Sequence, residues 1–360
     1  MEQPGRTRQR GRGALDNPTS RFEARQCVEA DDGWDTIEAD APDLATVVQA
    51  ELSRTILSTN TSPDVPFSQS INPYKGCEHG CVYCFARPTH AYLGLSPGLD
   101  FETRIFSKPD AARLLTKELS KASYKPKAIA LGANTDPYQP VERRLGISRE
   151  ILTVLRDFGH PVSIITKSSG ITRDIDLLAD LAERDLVSVY LSITTLDPQL
   201  AARMEPRAAA PARRLQTLRR LSEAGIPVGV LASPMIPALN DRELESILTA
   251  ARAHGARRAG YILLRLPGEV AELFTNWLRH HYPGRADKVL SLLRDTRDGE
   301  LYRSEFGTRM KGSGPYAETL AQRFTIATRR LGLDAPSARL NLDHFKVPGS
   351  RHQQLSLFAG

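Results

Sequence analysis

Residues 72–88 read NPYKGCEHGCVYCFARP, and three of the four cysteines of this 360-residue chain lie within this stretch. Cys77, Cys81 and Cys84 have the spacing C-x3-C-x2-C, with Gly76 and Gly80 beside them. Soft thiolates gathered on one short loop select iron–sulfur clusters, zinc or copper(I). A [4Fe–4S] cluster normally takes four thiolates, so three would leave one iron open to a non-protein ligand. The loop therefore predicts a metal centre, with a three-cysteine cluster as the leading interpretation.

The composition indicates a soluble, cytoplasmic protein. Four cysteines are too few for a disulfide framework, and Cys27, far upstream of the loop, is interpreted as a bystander. No signal peptide or membrane-spanning apolar run is visible, so no membrane contact is expected. Residues 1–13 hold four arginines and one glutamate, a net charge of +3 out of the total of +6. This basic tail is compatible with RNA, but a solvated leader explains it more simply.

Strand-like segments alternate with amphipathic helical segments after residue 70, which is typical of βα units and a parallel sheet. The fold class is therefore α/β, a partial (β/α)6 TIM-like barrel with a C-terminal helical extension. The predicted domains are a disordered tail and irregular lead-in (1–65), the barrel (66–270), the helical extension (271–335) and a tail (336–360). The predicted strands are 69–73, 128–133, 162–166, 186–192, 228–232 and 261–266.

Helices are predicted between these strands from caps and apolar periodicity. A short helix is also expected at 45–53. On the predicted helix 210–224, a solvated face is the interpretation of Arg213, Arg214, Arg219 and Arg220. The predicted helices of the barrel are 109–120, 148–158 (with Ser148 as N-cap), 172–183 (opening at Thr172), 210–224 and 241–254.

Polar residues follow the ends of the predicted strands. The cysteine loop follows the first strand, Asn134 and Asp136 the second, Lys167 the third and Ser192 the fourth. In barrels of βα units the chemistry lies at the carboxyl ends of the strands. We therefore expect these residues to share the rim of one site.

The loop, with Tyr83 just before its third cysteine, resembles the radical S-adenosylmethionine (radical SAM) superfamily. More narrowly, residues 72–77 (NPYKGC), 134–140 (NTDPYQP) with Glu142, and 166–168 (TKS) resemble the bacterial branch related to spore photoproduct lyase. That branch includes proteins of unassigned activity, and the resemblance covers roughly residues 70–270.

This resemblance implies a chemistry and its cofactors. The three cysteines would hold three irons of a [4Fe–4S] cluster, and S-adenosylmethionine would chelate the fourth. The reduced cluster would cleave S-adenosylmethionine to a 5′-deoxyadenosyl radical, which takes a hydrogen atom from the substrate. An electron donor of the flavodoxin or ferredoxin type is implied, and the substrate, whether nucleotide, nucleic acid or protein side chain, stays open.

The resemblance also implies which residues contact S-adenosylmethionine. They are Tyr83 and residues 233–236 (adenine), Lys167 and Ser192 (carboxylate), Asn134 and Asp136 (amino group, through the backbone), and Glu205 and Arg207 (ribose or carboxylate).

One departure from the lyase concerns the return of a hydrogen atom to the product. The lyase uses a cysteine away from its cluster for this step, whereas Ala133 stands at the corresponding strand end here. Repair of a thymine photolesion is therefore not expected. The alternatives are another donor, such as Tyr138 or Tyr316, or S-adenosylmethionine chemistry that does not return the hydrogen atom. A Gly-, Lys- and Arg-rich loop at 306–316, with Arg309 and Lys311, is predicted to cap the barrel mouth and select substrate.

Two other functions remain open from the residues. A zinc-stabilised nucleic-acid-binding protein would use the three cysteines with His79 or His90 as a Cys3His site, because the spacing suits zinc. A cluster used only for electron transfer would need Cys27 or a histidine as its fourth ligand.

Overall fold

The computed structural model describes residues 11–22, 44–335 and 340–348, and its framework is a parallel β-sheet. The strands of these residues are β1 (Val47–Ala50), β2 (Leu57–Thr59), β3 (Gln69–Ile71), β4 (Tyr74–Lys75), β5 (Arg104–Ser107), β6 (Ile129–Leu131), β7 (Val162–Thr166), β8 (Val187–Ser192), β9 (Val228–Met235) and β10 (Arg258–Leu263). The larger sheet has the order β10-β9-β8-β7-β6-β3-β2, and β1, β5 and β4 form a small second sheet.

Six strands of the larger sheet, β3 and β6 to β10, run parallel, and β2 pairs with β3 in the antiparallel direction. Within the described ranges the two edge strands, β10 and β2, do not pair with each other, so the sheet stays open. This confirms the predicted partial (β/α)6 barrel, and all six predicted strands are present with ends shifted by a few residues.

Helices connect the parallel strands and continue after the last of them. They are α1 (Asp100–Thr103), α2 (Ala111–Leu119), α3 (Glu142–Leu145), α4 (Ile147–Asp157), α5 (Ile175–Glu183), α6 (Pro198–Met204), α7 (Pro211–Glu223), α8 (Leu244–Ala253), α9 (Val270–His281), α10 (Pro283–Asp295) and α11 (Gly314–Leu331). Helices α9 to α11 form the predicted C-terminal extension, whereas the exact domain boundaries stay a prediction. No helix in the described part of the chain is long and apolar enough to cross a bilayer.

The predicted helix at 45–53 is wrong. Val47–Ala50 form β1, which pairs in parallel with β5, and the chain continues the ladder with a bond from the Glu51 amide to the Ser107 carbonyl oxygen (2.7 Å). Branched side chains at Val47 and Val48 favour a strand over a helix, and the available partner β5 decides the outcome.

Two predicted helix starts are also wrong. Helix α4 begins at Ile147, and its Ser148 amide is bound by a carboxylate oxygen of Glu142 (3.1 Å), so the cap comes from outside the helix. Thr172 lies inside a 3₁₀ turn, and the α-helix that it was expected to open begins only at Ile175. At α4 a residue outside the helix replaces the predicted cap, whereas the 3₁₀ turn is capped locally, by the Ser168 hydroxyl accepting from the Gly170 amide.

Part of the predicted C-terminal tail is packed. Residues 340–348 lie against the outer side of the barrel, where the Phe345 ring contacts Tyr124, Phe158 and His160. The remainder of the predicted tail, 336–339 and 349–360, lies outside the described residues.

His160 gives this packed edge a predicted pH dependence. Its ring nitrogens lie 3.0 Å from the Pro161 carbonyl oxygen and 2.8 Å from the Tyr124 hydroxyl, and burial lowers the pKa of His160 to about 4. An unfolded histidine is protonated below about pH 6.5, so the unfolded state binds more protons between pH 6.5 and 4. The free energy of unfolding should therefore fall by about 2 kcal/mol between pH 7 and pH 5 through this residue.

Urea denaturation at pH 7 and pH 5 checks this, with His160→Gln as the comparison. We expect the variant to lose less stability over this interval than the wild type, because glutamine does not titrate. Equal losses in both proteins would show that other groups carry the pH dependence.

Candidate active site at the cysteine loop

The three motif cysteines face one cavity at the carboxyl ends of the parallel strands. The cavity measures about 470 Å3, and all three thiols are free and line it. The ends of β8 and β9 and the residues directly after β6, β7 and β10 all contribute to its wall. The residues that the sequence analysis placed at the rim and that line this cavity are Tyr83, Asn134, Asp136, Lys167, Ser192, Ser233 and Pro234.

Two glycines shape the cysteine loop. Gly76 and Gly80 have positive φ angles of 78° and 66°, which side-chain-bearing residues rarely adopt. A Cβ on Gly76 would lie 2.9 Å from both His90 and the Phe101 carbonyl oxygen. The Cys77 amide binds that carbonyl oxygen (2.9 Å), so the loop is held tightly at its first cysteine.

Burial raises the pKa of each of the three thiols. Asp136 and the neighbouring thiols add to the rise at Cys77, whereas the Lys167 ammonium opposes it at Cys81 and Cys84. Three sulfurs with raised pKa values at one cavity become stable thiolates only when positive charge is brought to them, as a metal centre does. The donor set therefore fits a thiophilic metal group.

A single zinc ion does not fit the side-chain arrangement. Among the described residues, no three His, Cys, Asp or Glu side chains are grouped to hold one metal ion. One ring nitrogen of each predicted histidine ligand also has another partner, because His79 Nδ1 lies 3.3 Å from Asp136 Oδ2 and His90 Nε2 lies 3.0 Å from the Arg104 carbonyl oxygen. Since all ligands of a zinc ion lie about 2.0–2.3 Å from it, such a site needs closer grouping.

Asp136 is an ionised anchor between two strand ends. Its Oδ1 accepts bonds from the Thr166 hydroxyl (2.7 Å) and the Tyr138 amide (2.9 Å), and its Oδ2 accepts one from the Lys167 amide (2.7 Å). Burial alone would raise the pKa of Asp136, but the charge of His79 and these hydrogen bonds lower it to about 2. The carboxylate thus fixes the backbone that carries Lys167.

Glu205 lies at the centre of a buried network behind the cavity. Its carboxylate accepts hydrogen bonds from the Tyr83 hydroxyl, the Thr194 hydroxyl (2.6 Å) and the Arg214 guanidinium, and its side chain is 0% exposed. Arg214 also donates to the Ser192 carbonyl oxygen (3.0 Å). Arg214 is therefore buried, which corrects its interpretation as part of a solvated helix face.

The structure does not bring Glu205 or Arg207 to the cavity. The oxygens of Glu205 are used by the network just described, and Arg207 pairs with Glu78 (3.1 Å) beside a separate surface pocket. Tyr83 connects both regions, because its hydroxyl belongs to the network while its ring lies 5.8 Å from Lys167 Nζ on the cavity side.

The roof of the cavity joins two distant parts of the chain. Residues 60–67 and the loop at 306–316 both reach it, and the Arg309 guanidinium binds the Asp64 carboxylate and the Ser62 hydroxyl. The Gly307 amide donates to the same Asp64 carboxylate (2.7 Å). Arg309 thus lies at the cavity opening, near the predicted barrel mouth, whereas the contribution of the lead-in segment was not predicted. Lys311 instead lies over the Tyr261 ring (6.0 Å).

Residues 11–22 pack against the back of the cysteine loop. The amides of Gly13 and Ala14 donate to the buried Glu102 carboxylate (3.0 and 2.9 Å), which also binds Arg87 (2.5 Å). Arg87 in turn donates to the Cys81 carbonyl oxygen (2.9 Å).

The predicted tail is therefore corrected for residues 11–22. Residues 1–10 and 23–43, including Cys27, lie outside the described residues.

Gly13 provides a test of this packing. A Cβ at this position would lie 1.8 Å from the Gly80 carbonyl oxygen, an overlap that backbone atoms cannot relieve without moving apart. Gly13→Ala is therefore expected to separate residues 11–22 from the cysteine loop and to expose the bond after the buried Arg12 to trypsin. The measurement is the rate of limited proteolysis together with the melting temperature.

Gly284→Ala is the matched control, because nothing lies within 4 Å of the added Cβ. Its melting temperature should be unchanged or slightly higher. Equal trypsin sensitivity of the two variants would contradict the packing role of Gly13.

Comparisons with known proteins place this site in a family. The model of the radical SAM superfamily matches residues 71–251, which include the cysteine loop. An uncharacterised protein of Mycobacterium tuberculosis is 37% identical over 232 residues, covering 64% of this chain and 68% of the relative. An uncharacterised protein of Methanocaldococcus jannaschii is 30% identical over 173 residues, covering 48% and 62%.

Solved structures share the fold at low sequence identity. Spore photoproduct lyase in complex with dinucleoside spore photoproduct has a TM-score of 0.56 at 15% identity over 79% of each chain. A variant of the lyase with bound AdoMet and dinucleoside spore photoproduct has a TM-score of 0.54 at 14% identity over the same shares. Because the family model covers half of the chain and contains the three-cysteine loop, this chain belongs to the radical SAM superfamily and is an enzyme of that type.

Proposed function

We propose that Cys77, Cys81 and Cys84 hold a [4Fe–4S] cluster and that S-adenosylmethionine binds to it in the same cavity. The observation that carries this is the set of three free thiols facing one cavity, two of them buried and that of Cys84 half-buried, with no other cysteine in the described ranges. Three thiolates leave one iron without a protein ligand. When bound, this pair supplies one-electron cleavage of S-adenosylmethionine to a 5′-deoxyadenosyl radical that abstracts hydrogen from the substrate.

The rim residues are proposed to bind and orient S-adenosylmethionine. Lys167 is the cation suited to the carboxylate, because no carboxylate pairs with its ammonium group among the described residues and Asp136 fixes its backbone. Ser192 and the backbone near Asn134 line the same cavity and offer further polar contacts. The ring of Tyr83, held by Glu205 through its hydroxyl, offers an aromatic face for the adenine.

Water exclusion is the second proposed task of the chain. A carbon radical must be kept from side reactions, and closed sites achieve this by excluding solvent. The contacts of Arg309 and Gly307 with Asp64 close the roof over the cavity, which supports the predicted capping role of the 306–316 loop.

A thiol-based return of the hydrogen atom is not part of this proposal. Ala133 lines the cavity at the strand end, and the hydroxyl groups of the two predicted tyrosine donors are bound elsewhere. Tyr138 donates to Asp174 (3.1 Å), and Tyr316 donates to Asp241. Neither tyrosine lines the cavity, which favours chemistry that proceeds without a hydrogen atom returned by these residues.

The deciding experiment is electron paramagnetic resonance of the anaerobically reconstituted, reduced protein with and without S-adenosylmethionine. A reductant of the flavodoxin or ferredoxin type, or dithionite in its place, supplies the electron. We expect a cluster signal that changes shape when S-adenosylmethionine is added, together with release of 5′-deoxyadenosine. A signal that does not change would indicate a fully ligated electron-transfer cluster. Zinc in place of a cluster would instead support the Cys3His binding protein.

A further inference from the structure

Arg265 lies at the cavity and has no acidic partner among the described residues. It follows the end of β10 and lines the cavity, where its guanidinium lies 5.2 Å from the Phe85 ring centre and 3.3 Å from the Met310 sulfur. Its Nε–H is buried and makes no hydrogen bond. Within the described part of the chain, no ion pair joins a carboxylate to Arg265.

Arg297 adds a second uncompensated charge behind it. Its side chain is buried and donates to two carbonyl oxygens, those of Thr308 (2.8 Å) and Leu264 (3.2 Å), while its Nε–H has no partner. These two residues directly precede Arg309 and Arg265 in sequence, so Arg297 fixes the backbone of both. Burial and the neighbouring charge of Arg265 lower the pKa of Arg297, as expected for adjacent cations without a counter-ion.

This arrangement differs from the buried arginines that support the fold. Arg87 pairs with Glu102 and Arg214 pairs with Glu205, each through a fully buried ion pair. A buried charge without a counter-charge is unfavourable, so the buried Arg297 beside the half-buried Arg265 lowers stability. The cost is recovered when a ligand brings negative charge to the same place.

The other arginine and lysine side chains that line the cavity already have a partner or a proposed role. Arg309 is paired with Asp64, and Lys167 is proposed to bind the carboxylate of S-adenosylmethionine. Among the described arginine and lysine side chains that line the cavity, Arg265 is the one without such a partner or role. The cavity of about 470 Å3 must also hold the cofactors, so the part of the substrate that enters beside them is small.

We infer that Arg265, supported by Arg297, binds a phosphate group of the substrate. Two adjacent guanidinium charges match a dianionic phosphate monoester better than a carboxylate, which carries one charge. The inference rests on the proposed function, because it names the substrate class of that site. The phosphate belongs either to a small phosphate ester or to the end of a nucleic acid, and both have this recognition chemistry in common.

The test measures ligand binding to the reconstituted holoprotein with S-adenosylmethionine present. The probes are inorganic phosphate, ribose 5-phosphate, a short thymidine oligonucleotide with and without a 5′-phosphate, and an oligoglutamate peptide. We expect Arg265→Gln to weaken phosphate binding by about 10- to 100-fold, the loss of one charge-assisted contact, and Arg265→Lys to restore part of it. Arg303→Gln, on an exposed surface arginine, is the control and should bind like the wild type.

Each outcome bears on the inference. Tighter binding of ribose 5-phosphate supports a small ester, and a preference for the phosphorylated oligonucleotide supports a nucleic-acid end. Equal phosphate affinity in Arg265→Gln and wild type, or binding of oligoglutamate alone, overturns it. The resonance change on adding S-adenosylmethionine should persist in Arg265→Gln, so a failure of this inference is distinguishable from a failure of the proposed function.

Discussion

Replacing Cys77, Cys81 or Cys84 singly by alanine is expected to reduce the iron content of the reconstituted protein from about four atoms per chain to about one or fewer. Each thiolate holds a different iron in the proposed cluster, and no other described cysteine can take its place. Release of 5′-deoxyadenosine should fall to background in the same variants. Iron and sulfide analysis, with circular dichroism to verify the fold, checks this.

Cys27→Ala is the control for this experiment. We expect it to keep the iron content and the S-adenosylmethionine-dependent signal change of the wild type, in line with its interpretation as a bystander. Loss of the cluster in Cys27→Ala would identify a fourth thiolate ligand. The proposal of an open iron would then be wrong, and a cluster for electron transfer would replace it.

Glu205→Ala is expected to lower the free energy of unfolding by about 3–5 kcal/mol. The substitution leaves the Arg214 guanidinium buried without a counter-charge and removes the acceptor of the Tyr83 and Thr194 hydroxyls. Urea denaturation measures the loss. Glu245→Ala, which breaks a partly exposed pair with Arg323 (2.7 Å), should cost less than about 1 kcal/mol.

The same variant distinguishes two roles for Glu205. If it stabilises the fold, the double variant Glu205→Leu with Arg214→Met should regain much of the lost stability, because removing both charges avoids the buried unpaired ion. If Glu205→Ala kept wild-type stability but lost affinity for S-adenosylmethionine, the contact implied by the family resemblance would be supported instead.

The barrel was predictable because its signals are local. Strand and helix periods alternate after residue 70, and glycines mark helix ends, as at Gly225 with a φ of 76°. The three cysteines and the polar strand ends then identify one rim. Periodicity, helix-end glycines and motif spacing all depend on residues close in sequence, so they can be read from a single sequence.

The buried role of Arg214 shows what local patterns do not contain. It lies on the same helix face as Leu218 and Leu221, and this spacing indicates burial. A charged residue at such a buried position needs a partner of opposite charge. That partner, Glu205, precedes the helix and is separated from it by a turn, so the helical periodicity does not identify it. The pattern therefore indicates which face is buried, while the ion pair follows only from the tertiary fold.

The packing of residues 11–22 could not be predicted for a different reason. Its bonds to the Glu102 carboxylate come from the backbone amides of Gly13 and Ala14, and no side-chain pattern records these two bonds. A glycine that is needed for close backbone approach looks in sequence like any glycine of a loose segment.

The roof of the cavity has a consequence for synthesis of the chain. Asp64 and Arg309 are 245 positions apart, so the cysteine loop leaves the ribosome long before the residue that closes the cavity above it exists. At about 5–20 residues per second, this interval lasts on the order of ten seconds or more. Throughout it the three thiols of a nascent chain are open to solvent, oxidants and iron donors alike. The three thiols that line the cavity of the finished protein are therefore accessible at first, and the rate of translation sets the length of this accessible period.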